Sequence, residues 1–258
     1  MTPSQSLALL AASTAAGVMN AMAGGGTIVT YPTLLLAGES AIVANATSTV
    51  ALLPGTVASM AGYRREVAEH RHWLKTLVLP SLLGGTLGAV LLLRTPEQAF
   101  ARLAPALILF ATVLFMVQGA VRRRAGKGAE TAAAPAASST RWLIAGLSQF
   151  AVAVYGGYFG AGVGILMLAI LGFLGLSNIH AMNGLKNFFG LSINITAAAY
   201  FLARGAVAGP AALVMVVGAV AGGYGGARFA RHIGQERARG AVVAIGLLMT
   251  ALLFWQQR

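Results

Sequence analysis

The sequence predicts an all-α polytopic membrane protein made of two inverted repeats of about five segments each, with broken or re-entrant half-helices near the midplane. The first observation is composition: 57% of the 258 residues are apolar, 9% are charged and the mean hydropathy is +0.77, values typical of chains that lie in lipid. The second observation is a set of ten apolar runs, and the third is the correspondence between the first five runs and the last five.

Each apolar run predicts a helix, and the lengths of the runs divide them into two kinds. The runs lie at about 5–23, 26–37, 41–63, 74–93, 98–121, 141–160, 162–175, 178–203, 206–229 and 239–256. A helix needs about 20 residues to cross about 30 Å of hydrocarbon. Eight runs approach or exceed that length, whereas the second and seventh are little more than half as long, so we expect half-helices or re-entrant arms there.

In the first half, a glycine cluster separates the first segment from the short second one. Glycines before a short helix leave backbone N–H groups at a helix N-terminus, where the partial positive charge of the helix dipole favours an anion. The third segment begins with neutral polar residues that can supply hydrogen bonds. Gly84 and Gly88 in the fourth segment have the spacing of a close helix contact. The candidate ligand-binding residues of this half are Gly24, Gly25, Gly26, Asn45, Thr47, Ser48 and Thr49.

Residues 122–140 form the predicted cytoplasmic linker between a first membrane repeat at 1–121 and a second, inverted repeat at 141–258. The linker begins with three arginines and continues as an Ala/Ser/Thr/Pro stretch. This composition has neither hydrophobic periodicity nor enough bulky residues to pack into a core.

In the second half, Gly160 and Gly162 precede the short seventh segment, and the eighth segment carries Asn183, Lys186 and Asn187. Lys186 stands among apolar and amide residues, about nine residues or 13 Å of helix from the segment's start. An ionisable residue within a membrane segment indicates a functional site, and a cation indicates an anionic ligand. Gly218 and Gly222 in the ninth segment repeat the spacing of a close helix contact.

The two halves align with each other at a nearly constant sequence offset. Gly24 falls on Gly160, Thr49 on Lys186 and Tyr63 on Tyr200. Placing the loops at 64–75, 122–141 and 228–239 in the cytoplasm puts 13 of the 18 cations there, as the positive-inside rule requires. The loop after the third segment is basic in the first half and sparse in the second, and the next loop shows the reverse, which indicates inversion. We therefore expect a multi-pass protein of the bacterial inner membrane with both termini outside.

Several motifs of small and polar residues follow one another along essentially the whole chain. They are Gly17-Val18-Met19-Asn20-Ala21-Met22-Ala23-Gly24-Gly25-Gly26, Tyr31-Pro32-Thr33-Leu34-Leu35, Ala44-Asn45-Ala46-Thr47-Ser48-Thr49, Gly156-Gly157-Tyr158-Phe159-Gly160-Ala161-Gly162-Val163-Gly164 and the run through Asn183 to Lys186. Together these motifs resemble the sulfite exporter TauE/SafE family. In this chain Ala161 and Val163 interrupt the second glycine motif. The resemblance implies export of sulfite or a small organosulfur anion of the sulfonate type.

The predicted function is transport by alternating access around a central site, with a small anionic substrate and the lipid bilayer as partners. Candidates for gating or coupling are Asn20, Tyr63, Tyr200 and His180. A coupling proton is a candidate second partner, and the sequence leaves the oligomeric state open. The chain has no cysteine and no aspartate, so neither a cofactor nor a metal is predicted. The basic residues cluster between the apolar runs, so no nucleic-acid partner is predicted either.

Other functions and structural roles compete with this interpretation. The chain could carry another small anion, such as a carboxylate or an amino acid, or be a non-transporting membrane subunit. An enzyme is not expected, because no G-x-S-x-G, no HExxH and no paired acids occur. The glycines could serve helix packing, the asparagines could bond across helices, and Lys186 could extend to the membrane surface. His180 could be satisfied by backbone near a helix end.

Overall fold

The computed structural model describes residues 1–22, 24–61, 64–125, 139–176, 178–233 and 235–256. These residues form eleven helices and no strands. The helices are α1 (Pro3–Met22), α2 (Thr27–Leu36), α3 (Ala41–Ala61), α4 (Arg64–Glu69), α5 (Arg71–Arg94), α6 (Glu97–Ala125), α7 (Ser139–Tyr158), α8 (Val163–Phe173), α9 (Ile179–Ala203), α10 (Gly209–Ile233) and α11 (Gln235–Gln256). The all-α prediction is confirmed.

Ten of these helices fall on the ten predicted segments, and the second and seventh segments are the short helices α2 and α8, of 10 and 11 residues. The predicted loop at 64–75 is wrong, because it contains the extra helix α4 and the first turn of α5. Helix α6 continues to Ala125, past the first residues of the predicted linker at 122–140. The division into two repeats stays a prediction.

The outer surface of the bundle is apolar, as a membrane protein requires. Among the described residues, three helices are long and apolar enough to cross a membrane: α3 over Ala41–Ala58, α5 over Arg71–Arg94 and α6 over Glu97–Val117. On α5, the side chains of Leu79, Leu83, Leu87 and Leu91 are exposed, at a spacing of four residues. This spacing places them on one helix face, which we assign to lipid. The protein is therefore a multi-pass membrane protein.

The opposite face of α5 packs closely on α7, and α10 packs on α1 in the same manner. A Cβ placed on Gly84 would lie 2.6 Å from the carbonyl oxygen of Phe150, and one placed on Gly218 would lie 2.6 Å from that of Leu10. A Cβ on Gly88 or Gly222 would likewise overlap backbone of the facing helix. These contacts confirm the close helix packing predicted from the two glycine pairs.

The facing helices, α1 and α7, also place glycines at these two contacts. A Cβ placed on Gly17 of α1 would lie 2.5 Å from the carbonyl oxygen of Ala219 on α10, and one placed on Gly157 of α7 would lie even closer to that of Gly85 on α5. Helix α3 also packs on α10 as α9 packs on α5. The halves thus exchange equivalent partners, which is the arrangement that a two-fold relation would produce, although the inversion itself stays a prediction.

The helix that carries the polar residues of the first half is held at its start by a carboxylate. Glu97, at the first position of α6, accepts hydrogen bonds from the backbone N–H groups of Ala41 and Ile42, the latter at 3.3 Å. A carboxylate at a helix N-terminus is favoured by both the free N–H groups and the dipole. Glu97 therefore fixes α3 against α6 and sets the position of the polar residues that follow.

Candidate functional site

Two glycine turns lead into the short helices α2 and α8. In the first turn Gly24 and Gly25 have φ angles of 85° and 96°, and in the second Gly160 and Gly162 have φ angles of 79° and 75°. Glycine adopts this left-handed region without steric cost, whereas other residues are strained there. In each half, the helix therefore ends at glycines that no other residue could replace without backbone strain.

The two turns lie against each other inside the bundle. A Cβ placed on Gly24 would be 3.5 Å from the Cα atom of Gly164, and one placed on Gly25 would be 3.5 Å from the backbone nitrogen of Gly162. The N-terminal ends of α2 and α8 are therefore neighbours, although they lie in opposite halves of the sequence. Two helix dipoles consequently present their positive ends to the same region.

Each turn is held in shape by one side chain from the helix before it. Gly26 donates its backbone N–H to the Oδ1 atom of Asn20 at 2.8 Å. The hydroxyl of Tyr155 donates to the carbonyl oxygen of Ala161 at 2.6 Å. Because Oδ1 of Asn20 accepts this bond, the amide group of the same side chain is left as a donor.

A cavity of about 60 Å³ lies where these turns meet α3 and α9. It is lined by Asn20, Gly24, Gly25, Thr27, Thr49, Leu52, Thr56, Gly160, Val163, Gly164, Met167, Lys186, Asn187, Gly190 and Asn194. A water molecule requires at least about 15 Å³ of such space, so the cavity has room for about four waters or one small oxyanion. No acidic side chain occurs among these described lining residues.

Lys186 is the charged group of this cavity. Its side chain is 3% exposed, and no described residue accepts a hydrogen bond from its Nζ atom. The Nδ2 atom of the neighbouring Asn187 is also buried without a partner in the described part of the chain. Burying an unpaired ammonium costs several kcal/mol, so a structural role for Lys186 lacks the contacts that would offset this cost. A lysine that extends to the membrane surface would expose its ammonium group, whereas Lys186 is buried beside the cavity.

The cavity gathers seven of the predicted site residues: Lys186, Asn187, Thr49, Gly24, Gly25, Gly160 and Asn20. Thr49 and Lys186, which the sequence offset equates, both line it. Gly162 and Gly26 do not line it and instead immediately precede α8 and α2. Asn183 lies one turn before Lys186, and its Oδ1 atom is buried without a partner among the described residues.

Three other predicted residues bind within the protein. Asn45 donates its side-chain amide to the carbonyl oxygen of Tyr158 at 2.9 Å. Thr47 accepts a hydrogen bond from the backbone nitrogen of Ala208 at 2.9 Å. The hydroxyl of Ser48 is 2.6 Å from that of Thr30 on α2. These contacts join α3 to the neighbouring elements, and none of the three side chains lines the cavity.

Of the remaining gate candidates, Tyr200 does not line the cavity. Tyr200 is half-buried near the end of α9, where the guanidinium of Arg204 lies 5.3 Å from its ring centroid. Tyr63 lies outside the described residues, and so does the side chain of His180.

Sequence reasoning missed eight lining residues, and helical spacing from Lys186 and Thr49 would have found three of them. Lys186, Gly190 and Asn194 follow one another at intervals of four on α9, and such residues share a helix face. Thr49 and Thr56 are two helical turns apart on α3 and share a face for the same reason. The other missed residues, Thr27, Leu52, Val163, Gly164 and Met167, complete the lining. Among the described residues no group of three His, Cys, Asp or Glu side chains could hold a metal.

The chain is similar to known membrane transporters. The family described as "Sulfite exporter TauE/SafE" matches residues 9–253. The chain is 27% identical over 248 residues to a "Probable membrane transporter protein" of Haemophilus influenzae, covering 94% of this chain and 91% of that protein. It is 26% identical over 251 residues to the "Probable membrane transporter protein YfcA" of Escherichia coli K12, covering 93% and 86%.

A more distant relative has a similar description. The "Probable membrane transporter protein ORF9" of a Sinorhizobium species is 24% identical over 247 residues, covering 95% of this chain and 90% of that protein. No solved structure matches the chain.

Proposed function

Because this chain belongs to the sulfite exporter TauE/SafE family and is a membrane transporter rather than an enzyme, we propose that it exports sulfite or a small sulfonate-type anion. The observation that carries the proposal is the buried ammonium of Lys186, which faces a small cavity and has no partner among the described residues. A bound anion would supply the missing partner.

The surroundings of Lys186 support a small oxyanion in particular. Oxyanions bind through hydrogen-bond donors and positive charge, and the cavity offers the ammonium, the amides of Asn187 and Asn20, and the N-terminal ends of α2 and α8. A metal cation would require carboxylates, and none occurs among the described lining residues. The volume of about 60 Å³ favours an anion with few heavy atoms.

Alternating access is supported by the way in which the halves pack. Helix α1 packs on α10 as α7 packs on α5, so each half is tightly joined to a helix of the other. The pair α1–α10 and the pair α5–α7 are thus two packed units. The site lies between them, on α3, on α9 and on the glycine turns. Rocking of one unit against the other would open the cavity alternately to the two sides. An anion leaving an inside-negative cell gains about 2.3 kcal/mol per 100 mV, or a gradient of about 50-fold, without a coupling ion.

The proposal is tested by measuring anion flux in proteoliposomes containing the purified chain. We expect uptake of radiolabelled sulfite in the wild type and a loss of at least about 100-fold in Lys186→Met, since Met retains the length without the charge. Lys75→Met is the matched control, because Lys75 is an exposed lysine at the start of α5, and its flux should equal that of the wild type.

Competition by unlabelled anions then identifies the substrate class. Sulfite and methanesulfonate should compete better than acetate, glutamate or sulfate. Preferential competition by acetate or glutamate would indicate a carboxylate or amino acid carrier. Absence of any flux from the purified wild type would indicate a non-transporting subunit, and normal flux in Lys186→Met would refute the role of the lysine.

A further inference from the structure

The cavity holds two hydroxyl groups whose hydrogens are already engaged. The hydroxyl of Thr49 donates to the carbonyl oxygen of Asn45 at 3.0 Å, and that of Thr56 donates to the carbonyl oxygen of Leu52 at 3.1 Å. Each hydroxyl therefore presents lone pairs, not a hydrogen, to the space that it lines. This differs from the sequence-based expectation that Thr49 is a donor.

Other lining residues present hydrogen-bond donors. Lys186 and Asn187 on α9 have donor atoms without partners among the described residues. Asn20 on α1 uses its Oδ1 atom to accept from Gly26, which leaves its amide as a donor. Among these lining residues, the free donors and the single charge lie on α9 and α1, and the two hydroxyls that present lone pairs lie on α3.

From this division we propose that the cavity selects a singly charged oxyanion that still carries a hydrogen, such as bisulfite, over the fully deprotonated dianion. The inference rests on the proposed function. The deprotonated oxygens of such a ligand would accept from Lys186, Asn187 and Asn20. Its O–H group would donate to the hydroxyl oxygen of Thr49 or Thr56.

Charge and hydrogen bonding both disfavour the dianion. The ammonium of Lys186 is the one full positive charge among the described lining residues, so the second charge of a dianion would face only helix ends and neutral groups in a buried site, which is costly in a medium of low dielectric. A ligand without an O–H group would also leave the lone pairs of the two hydroxyls facing its own oxygens. A site built to hydrogen-bond a substrate hydroxyl discriminates strongly against analogues that lack it, and we expect about a tenfold effect for each neutral hydrogen bond.

The test uses sulfite, which changes from a monoanion to a dianion near neutral pH. Its binding to the purified wild type is measured by calorimetry at pH 6 and at pH 8.5. Methanesulfonate, which keeps one charge and no ionisable hydrogen over this range, is measured in parallel. Lys186 is the only titratable side chain among the described lining residues, and the methanesulfonate series reports any effect of its titration.

We expect the affinity for total sulfite to fall at least about tenfold between the two pH values, with a much smaller change for methanesulfonate. The preference for sulfite over methanesulfonate at pH 6 should fall about tenfold in Thr49→Val combined with Thr56→Val, since valine has the shape of threonine without its hydroxyl. Thr86→Val is the control, because Thr86 makes the same bond to its own helix but is exposed on α5.

Three results would overturn the inference: equal affinity for sulfite at both pH values, an equal fall for methanesulfonate, or an unchanged preference in the double variant. Failure of the proposed function looks different. In that case the wild type binds neither anion at either pH, or Lys186→Met binds them as tightly as the wild type does.

Discussion

Replacing Lys186 by methionine should make the empty protein more stable while it abolishes anion binding. In the absence of ligand, the ammonium is buried, is 3% exposed and has no partner among the described residues. Methionine has a similar length and flexibility but no charge to desolvate. A residue that serves a ligand thus lowers stability until the ligand arrives, whereas a residue that holds the fold raises it.

The size of the effect follows from the position of the lysine. A lysine at the centre of a membrane helix costs about 2.5–3.5 kcal/mol on insertion scales. The polar cavity recovers part of this cost, so we expect a stabilisation of about 2 kcal/mol in Lys186→Met. For a chain of roughly this size, 1 kcal/mol corresponds to about 2–4 °C. The Tm of the variant should therefore be about 4–8 °C higher than that of the wild type.

The assay is thermal unfolding in detergent, followed by the amount of monodisperse protein that survives heating, with Lys75→Met as the control for loss of a lysine. Sulfite at about 100 times its Kd should stabilise the wild type by about 2.7 kcal/mol and so close the gap, and it should leave the Tm of Lys186→Met unchanged. A variant less stable than the wild type would refute the reasoning, because it would show that Lys186 stabilises the fold.

Three further variants test the site and the packing around it. Gly190→Ala should reduce anion affinity about tenfold, and more for larger sulfonates, because Gly190 lines the cavity. The Tm should change little, since a Cβ on Gly190 would meet no atom within 4 Å. Equal affinity in this variant and the wild type would show that the ligand lies elsewhere. Gly222→Ala should lower the Tm by the equivalent of about 1–3 kcal/mol, because its Cβ would overlap the backbone of α1. The control is Gly225→Ala, which lies in open space on the same helix and should raise the Tm slightly. Similar shifts of the Tm in both variants would contradict the packing argument. Tyr155→Phe should weaken binding by about 1 kcal/mol through loss of the bond to Ala161, measured by calorimetry, and an unchanged affinity would show that this bond does not position the turn.

The fold could be predicted from sequence wherever lipid imposes a simple rule. Ten apolar runs became ten helices, and the two runs too short to cross a bilayer became α2 and α8 after glycine turns. Helix α4 was missed because its charged residues, Arg64 to Glu69, have no apolar periodicity. Its position in a loop depends on packing against α9, which a local pattern does not contain.

The site was predicted in part, since Lys186 is conspicuous whereas its neighbours are not. A lysine in an apolar helix stands out by cost alone, but Gly190 and Asn194 are ordinary residues there and become informative only through their spacing from Lys186. The side chains of Asn45, Ser48 and Asn187 can all donate a hydrogen bond, and the sequence does not tell which of these donors finds a partner within the protein. Only the packing of α3 against α2 and the end of α7 decides this.

On the predicted repeat, the asymmetry between Thr49 and Lys186 would let two equivalent halves bind one charge. The two residues are equivalent by sequence offset and line the same cavity, so a strictly symmetric pair would be either two lysines or two threonines. Two lysines would place two unpaired ammonium groups in about 60 Å³, which doubles the desolvation cost and adds repulsion. Two threonines with hydroxyls bonded to their own helix would offer lone pairs and no charge. One of each supplies a cation for the anionic oxygens and an acceptor for the remaining hydrogen. On the predicted repeat, divergence of this one pair would therefore be sufficient to produce the site that we propose for a hydrogen-bearing monoanion.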